Sequence, residues 1–226
     1  MARPKPNRSL ALLHPRFRER VETLIGMLKV RGLPFRPHEF YRNAERQTWS
    51  ARKGSSLAMW LQSQHNFGCA ADFVGLGDEP WAASLPWDEY GAAVEEAGLS
   101  WAGRWRNFRE LVHCDYANVR PMRDLRLGIL VDDITNSDET AWLAWWWEQV
   151  ADTSTGIAVL QRVLVRLGYA PGAVDGHWGP RTRTAAEEAL ERNDSLYDAT
   201  AREELCGALA VALGAPGPSC EEVSNG

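Results

Sequence analysis

The sequence predicts an α+β fold over roughly its first half, a small antiparallel sheet packed with helices, and then a small three-helix unit. Apolar residues at helical spacing alternate there with short β-prone runs. A tryptophan-rich stretch then changes the character of the chain, and beyond it tight-turn residues separate three amphipathic segments. With 226 residues, 45% of them apolar, the chain can build one medium core and one small one. The boundaries read as a first domain over 1–125, a helical linker over 126–153, a second domain over 154–214 and a frayed tail over 215–226.

Each element has its own signal. Phe17, Val21, Leu24, Ile25 and Leu28 put one apolar face on a helix from Arg16 to Val30, which Gly32 and Pro34 end. Phe35 to Phe40 reads as a short strand leading into Tyr41-Arg42, and Ala44 to Leu61 as a helix broken near Gly54. Cys69 to Val74 is a strand stopped by Gly75 and Gly77. Trp87 to Ala97 is a helix stopped by Gly98. Leu111 to Tyr116 is a further short strand, and it carries His113.

Thr140 to Val150 predicts a helix holding Trp142, Trp145, Trp146 and Trp147. Each helical step turns about 100°, so three adjacent tryptophans cannot share one face. A packing helix between domains is expected, with a wall of sugar-stacking aromatics as the alternative. Val159, Leu160, Val163, Leu164 and Leu167 mark the first helix of the second domain; Thr182–Leu190 and Ala199–Leu213 complete it.

Composition excludes several classes. The net charge is −5 with no dense basic run, so no nucleic-acid partner is expected. The basic residues from Arg3 to Arg20 alternate with apolar ones and read as a solvated helix face. The longest apolar runs are too short to cross a bilayer, and the N-terminal one is too short for a secretory core. The expectation is a monomeric protein made in the cytoplasm without a signal peptide. Four cysteines without a CxxC pair fit a reducing compartment.

The chemistry gathers in Ser63-Gln64-His65-Asn66-Phe67-Gly68-Cys69-Ala70-Ala71-Asp72 and in Glu110-Leu111-Val112-His113. Two histidines and one aspartate supply three zinc ligands and leave a fourth position open for water, the mark of a catalytic rather than a closed structural site. His65 and Asp72 work together if a turn at Gly68 reverses the chain and Asp72 returns on a strand. His113 is then the natural third ligand. Glu110, three residues before it, is placed to take a proton from the water whose pKa the metal lowers toward about 7. The bland alternatives are ordinary polar residues at these positions, or a closed site completed by the thiolate of Cys69 or Cys114.

In order along the chain stand Tyr41-Arg42, Gln47, the Ser-x-His-x-x-Gly-x-Ala-x-Asp block from Ser63 to Asp72, Trp101-Ala102-Gly103-Arg104-Trp105, and Glu110 to His113. This series resembles the zinc D,D-peptidase family of bacteria and phages. That family includes D-alanyl-D-alanine carboxypeptidases, vancomycin-resistance dipeptidases and phage L-alanyl-D-glutamate endolysins. The resemblance implies that His65, Asp72 and His113 bind Zn2+, that Glu110 is the general base, and that Arg42 stabilises the oxyanion. It makes Gln47, Ser63, Trp101, Trp105 and Tyr41 substrate-binding or supporting groups. Asn43 stands where relatives usually have serine, and Cys114-Asp115-Tyr116 departs from the usual phenylalanine after the last histidine.

Further on, Leu160-Gln161, Leu164, Leu167-Gly168-Tyr169, Gly172, Val174-Asp175-Gly176, Gly179-Pro180 and Thr182 resemble the peptidoglycan-binding domain of cell-wall hydrolases. Here the glycines and prolines set turns, and Asp175 is expected to cap one. Together the two resemblances imply a zinc-dependent peptidoglycan hydrolase of the endolysin type, acting on the wall after release. Its expected bond is L-alanyl-D-glutamate. A D-alanyl-D-alanine carboxypeptidase or D,D-endopeptidase is the near alternative. A non-catalytic wall-binding or virion structural protein is the alternative of another class.

Overall fold

Four short strands form one antiparallel sheet in the order β1-β2-β4-β3: β1 is Phe35–Glu39, β2 Ala70–Gly75, β3 Leu99–Trp101 and β4 His113–Tyr116. The computed structural model describes residues 3–116, 137–151 and 153–192. By its contacts the chain divides into two units, Met1–Met122 and Arg123–Gly226. The first is thus a mixed helix-and-sheet fold.

β2 lies inside the sheet and every one of its residues is buried, which suits its run of small and apolar side chains. β1 is an edge strand and so tolerates Pro37, whose missing N–H costs no ladder bond at an edge. The β1–β2 register slips between Pro37 and Glu39, and the slip seats Glu39 opposite Asp72. β2 and β4 pair Asp72 with His113. Glu39, Asp72 and His113 therefore stand side by side across three strands.

Helix α1 (Pro15–Val30) begins with proline at its first position and buries Phe17, Val21, Leu24 and Leu28. Helix α2 is Ala44–Arg52, and Asn43 caps it by accepting from the Arg46 N–H at 2.9 Å. The helix expected to Leu61 with a break near Gly54 ends at that break, and no helix resumes before Leu61. Gly54 takes φ +71°, Ser55 N–H donates to Ser50 O at 3.0 Å and Gly54 N–H to Ala51 O at 3.0 Å, the paired bonds that close a helix on a left-handed glycine. Helix α3 (Trp87–Glu96) ends before Gly98, also left-handed, and packs on α1. The last strand begins at His113 rather than Leu111, and the three-residue β3 falls in a stretch to which the sequence reading gave no element.

In the second unit, helix α4 is Ser137–Glu148, α5 Ser154–Arg166 and α6 Pro180–Arg192. Trp142 and Trp146 stack at 6.3 Å, and Trp147 Nε1 donates to Gly156 O at 2.8 Å. Gln161, buried on α5, knits the turn to α6. Its amide nitrogen donates to Asp175 Oδ1, His177 O and Thr182 Oγ1, each at 3.1 Å, and its oxygen accepts from the N–H groups of Asp175 and Gly176. The expected helix Ala199–Leu213, the tail, and most of the linker before Ser137 lie outside the described residues.

Candidate metal centre and cleft

Ser63 starts a 3-10 turn, Gln64–Phe67, by accepting from the His65 N–H, while Asn66 returns a bond to the Ser63 N–H. Gly68 closes the turn at φ +62°. A Cβ at that position would lie 2.7 Å from Leu12 O and 2.8 Å from His14 N, so only glycine fits. The chain then returns as β2 and delivers Asp72, as the spacing required.

Three ligand atoms converge. His65 Nε2 is 3.2 Å from Asp72 Oδ1, His113 Nδ1 is 3.0 Å from the same oxygen, and the two ring nitrogens are 3.3 Å apart. Zinc bonds of about 2.0–2.1 Å in a tetrahedron imply ligand separations of roughly 3.3 Å, so the triangle fits the ion without rearrangement. Among the described residues these three form the group able to hold a metal. His65 Nδ1 donates to Phe40 O at 2.6 Å, which turns the ring so that Nε2 faces the centre. His113 Nε2 lies 3.8 Å from Asp115 Oδ2.

Burial alone would raise the Asp72 pKa, but the charge of His65 and hydrogen bonds from both histidines hold its carboxyl well below the usual range. Burial works the other way on His113, yet the Asp72 contact keeps its pKa raised. Both effects express one fact, a carboxylate shared by two imidazoles.

Behind the triangle lies a layer the sequence did not reveal. Buried Glu39 accepts from Arg42 Nη2 at 2.8 Å and Nε at 3.1 Å, and from Arg46 Nε at 2.6 Å. Arg42 Nη2 also reaches Asp72 Oδ2 at 3.4 Å. Arg42 is thereby fixed beside the ligand group, with its Nη1 donating to Gln47 Oε1 at 3.4 Å. A glutamate on a short edge strand reads as a surface residue. Its one hint was spacing, with arginines three and seven residues on.

A cleft of about 380 Å³ opens over the triangle, lined by Arg42, Ser63, His65, Trp105, Phe108, Glu110 and His113 among others. Glu110 is thus in the cleft with two of the ligands. The Trp105 ring packs on His113 at 5.6 Å. Gln47 is buried; its amide holds Ser56 Oγ and Ala58 O and so shapes the cleft wall. Trp101 and Tyr41 are buried and do not line the cleft. Trp101 is a support: its Nε1 donates to Leu111 O at 2.8 Å inside the Glu110–His113 segment, and Gly91 and Gly103 press against its ring. The thiols of Cys69 and Cys114 are buried, donate to Phe67 O and Ala71 O, and stand outside the ligand group, so neither closes it.

Residues 58–116 match a protein family described as D-alanyl-D-alanine carboxypeptidase. The match includes Ser63, His65, Asp72, Trp101, Trp105, Glu110 and His113, and begins after Tyr41, Arg42 and Gln47. No curated protein matches the chain. Among solved structures, the Serratia marcescens L-Ala D-Glu endopeptidase ChiX is similar at 27% identity, over 51% of this chain and 86% of that one, with a TM-score of 0.38.

Proposed function

We propose that the chain is a zinc-dependent peptidoglycan peptidase of the endolysin type that cuts the stem peptide, with L-alanyl-D-glutamate as its first bond. The convergence of His65, Asp72 and His113 in a cleft that also holds Glu110 carries this reading. The family matched by residues 58–116 supports peptide-bond chemistry.

Those three residues would hold the zinc, which when bound polarises the attacked carbonyl and acidifies water. Glu110 takes the proton of the attacking water and hands it to the leaving amine. Arg42, anchored by Glu39, keeps a positive charge where the carbonyl oxygen gathers negative charge. Ser63 and Phe40 O set the position and tautomer of His65. The second unit serves as a tether to the wall, raising the local concentration of enzyme on an insoluble substrate.

The description of the matched family favours a second reading, a carboxypeptidase or endopeptidase acting at D-alanine. Digestion of purified sacculi, with mass spectrometry of the released fragments, separates the two. New amino termini on D-glutamate support the first. Released D-alanine, or cut D-alanyl cross-links, replaces it with the second. Binding to sacculi without cleavage leaves a non-catalytic wall protein.

A further inference from the structure

A second cavity, of about 280 Å³, adjoins the centre and is lined by Arg3, His38, Glu39, Arg42, Arg46, Trp49, Trp81 and Glu110 among others. It shares Arg42, Ser55 and Glu110 with the cleft already described. The two spaces therefore meet along Arg42, Ser55 and Glu110.

Its walls carry three guanidiniums, three carboxylates (Glu39, Asp72 and Glu110) and the rings of Trp49 and Trp81. The guanidiniums are those of Arg3, Arg42 and Arg46, and Glu39 answers only the latter two. Arg46 gives Nε and Nη2 to Glu39, lies 4.9 Å over the Trp49 ring and leaves Nη1 without a hydrogen bond. Its charge is thus paired within the wall rather than free for a ligand. Arg3 is exposed, stands 5.3 Å over the same ring, and supplies the guanidinium that a ligand can reach. His38 packs edge-on to Trp81, and burial lowers its pKa, which keeps the ring neutral near pH 7.

The candidate substrates share one chemical feature. In the L-alanyl-D-glutamate bond and in a terminal D-alanyl-D-alanine bond, the carbon bearing the leaving nitrogen is a D-centre that also carries an α-carboxylate. We infer that this second cavity is the subsite for that carboxylate, held by Arg3 beside the Trp49 ring. The inference rests on the proposed peptidase reading and names the part of the substrate that fixes orientation across Glu110.

The test uses full-length zinc-loaded protein and matched peptides for each bond, one with the leaving-side α-carboxylate free and one with it amidated. The wild type is expected to cleave the free acid about tenfold more efficiently in kcat/KM. Arg3→Gln is expected to remove most of that preference through KM, leaving the amidated peptide and the zinc content unchanged. Equal cleavage of both peptides by the wild type, or equal losses on both with Arg3→Gln, overturns the subsite while the peptidase reading stands. Cleavage of neither peptide for any bond overturns the peptidase reading itself, and the subsite with it.

Discussion

Asp72 Oδ1 stands 3.0 Å from His113 Nδ1 across the antiparallel pair of β2 and β4, in which the two residues are direct partners. Two short side chains on directly opposed positions meet with little freedom. A slip of one residue in this register would send Asp72 to the other face and dismantle the ligand group. The Asp72–His113 part of the candidate ligand group is therefore a consequence of strand pairing.

Asp72→Asn keeps the shape and removes the charge that both histidines share. Zinc affinity, measured by competition with a chromophoric chelator, is expected to fall at least about a hundredfold. An unchanged affinity would place the ion elsewhere.

Glu110→Gln separates binding from chemistry. Zinc stoichiometry and the melting temperature are expected to stay as in the wild type, while kcat on wall fragments drops by about 10²–10⁴. Lysis at the wild-type rate would remove Glu110 from the mechanism.

Glu39→Gln tests the buried layer. Removing this charge leaves Arg46 without its carboxylate and Arg42 with only the longer contact to Asp72, at a cost of about 3 kcal/mol at neutral pH. Burial pushes the Glu39 pKa up, but the Arg46 hydrogen bond and the Arg42 charge outweigh it and hold it below its ordinary 4.5. The folded chain thus binds fewer protons here than the unfolded one. The contribution to stability is full above the unfolded value and is lost as pH falls through the folded value. Urea unfolding is expected to show a gap between wild type and variant that closes as pH drops below 4.5.

Gly68→Ala places a methyl group 2.7 Å from Leu12 O in a left-handed conformation. Two or more kcal/mol of destabilisation is expected, of the order of 2–3 kcal/mol, with loss of zinc affinity because the turn between His65 and Asp72 must shift. Thermal unfolding of the apo chain and chelator competition read the two effects separately.

Much of this site was legible because its chemistry is written in local sequence. The block from Ser63 to Asp72 is one continuous turn and strand, so the ligands and the residues that shape their path share ten positions. Ser63 and Gly68 could be read as part of that pattern, and the structure supplies their reasons: a cap and a steric necessity. Glu39 and Arg46 could not be read, because their importance comes from a strand slip and from contacts that only folding creates. Trp101, expected as a substrate-binding or supporting group, stands in a supporting position set by Gly91 and Gly103, which leave room only for the buried ring. β3 was missed because three residues carry too little period to register. The break expected near Gly54 is where the helix ends, and only its continuation to Leu61 failed, since nothing between the left-handed glycine and Leu61 restarts a helix.

The most direct test of the metal-dependent reading is the rate of sacculus clearing as zinc is returned to the chelated protein. Activity that rises in proportion to added zinc and saturates at about one equivalent per chain, absent at every point in His113→Ala, is the expected result. Clearing that survives chelation, or that zinc does not restore, would contradict the assignment of His65, Asp72 and His113 as the catalytic centre.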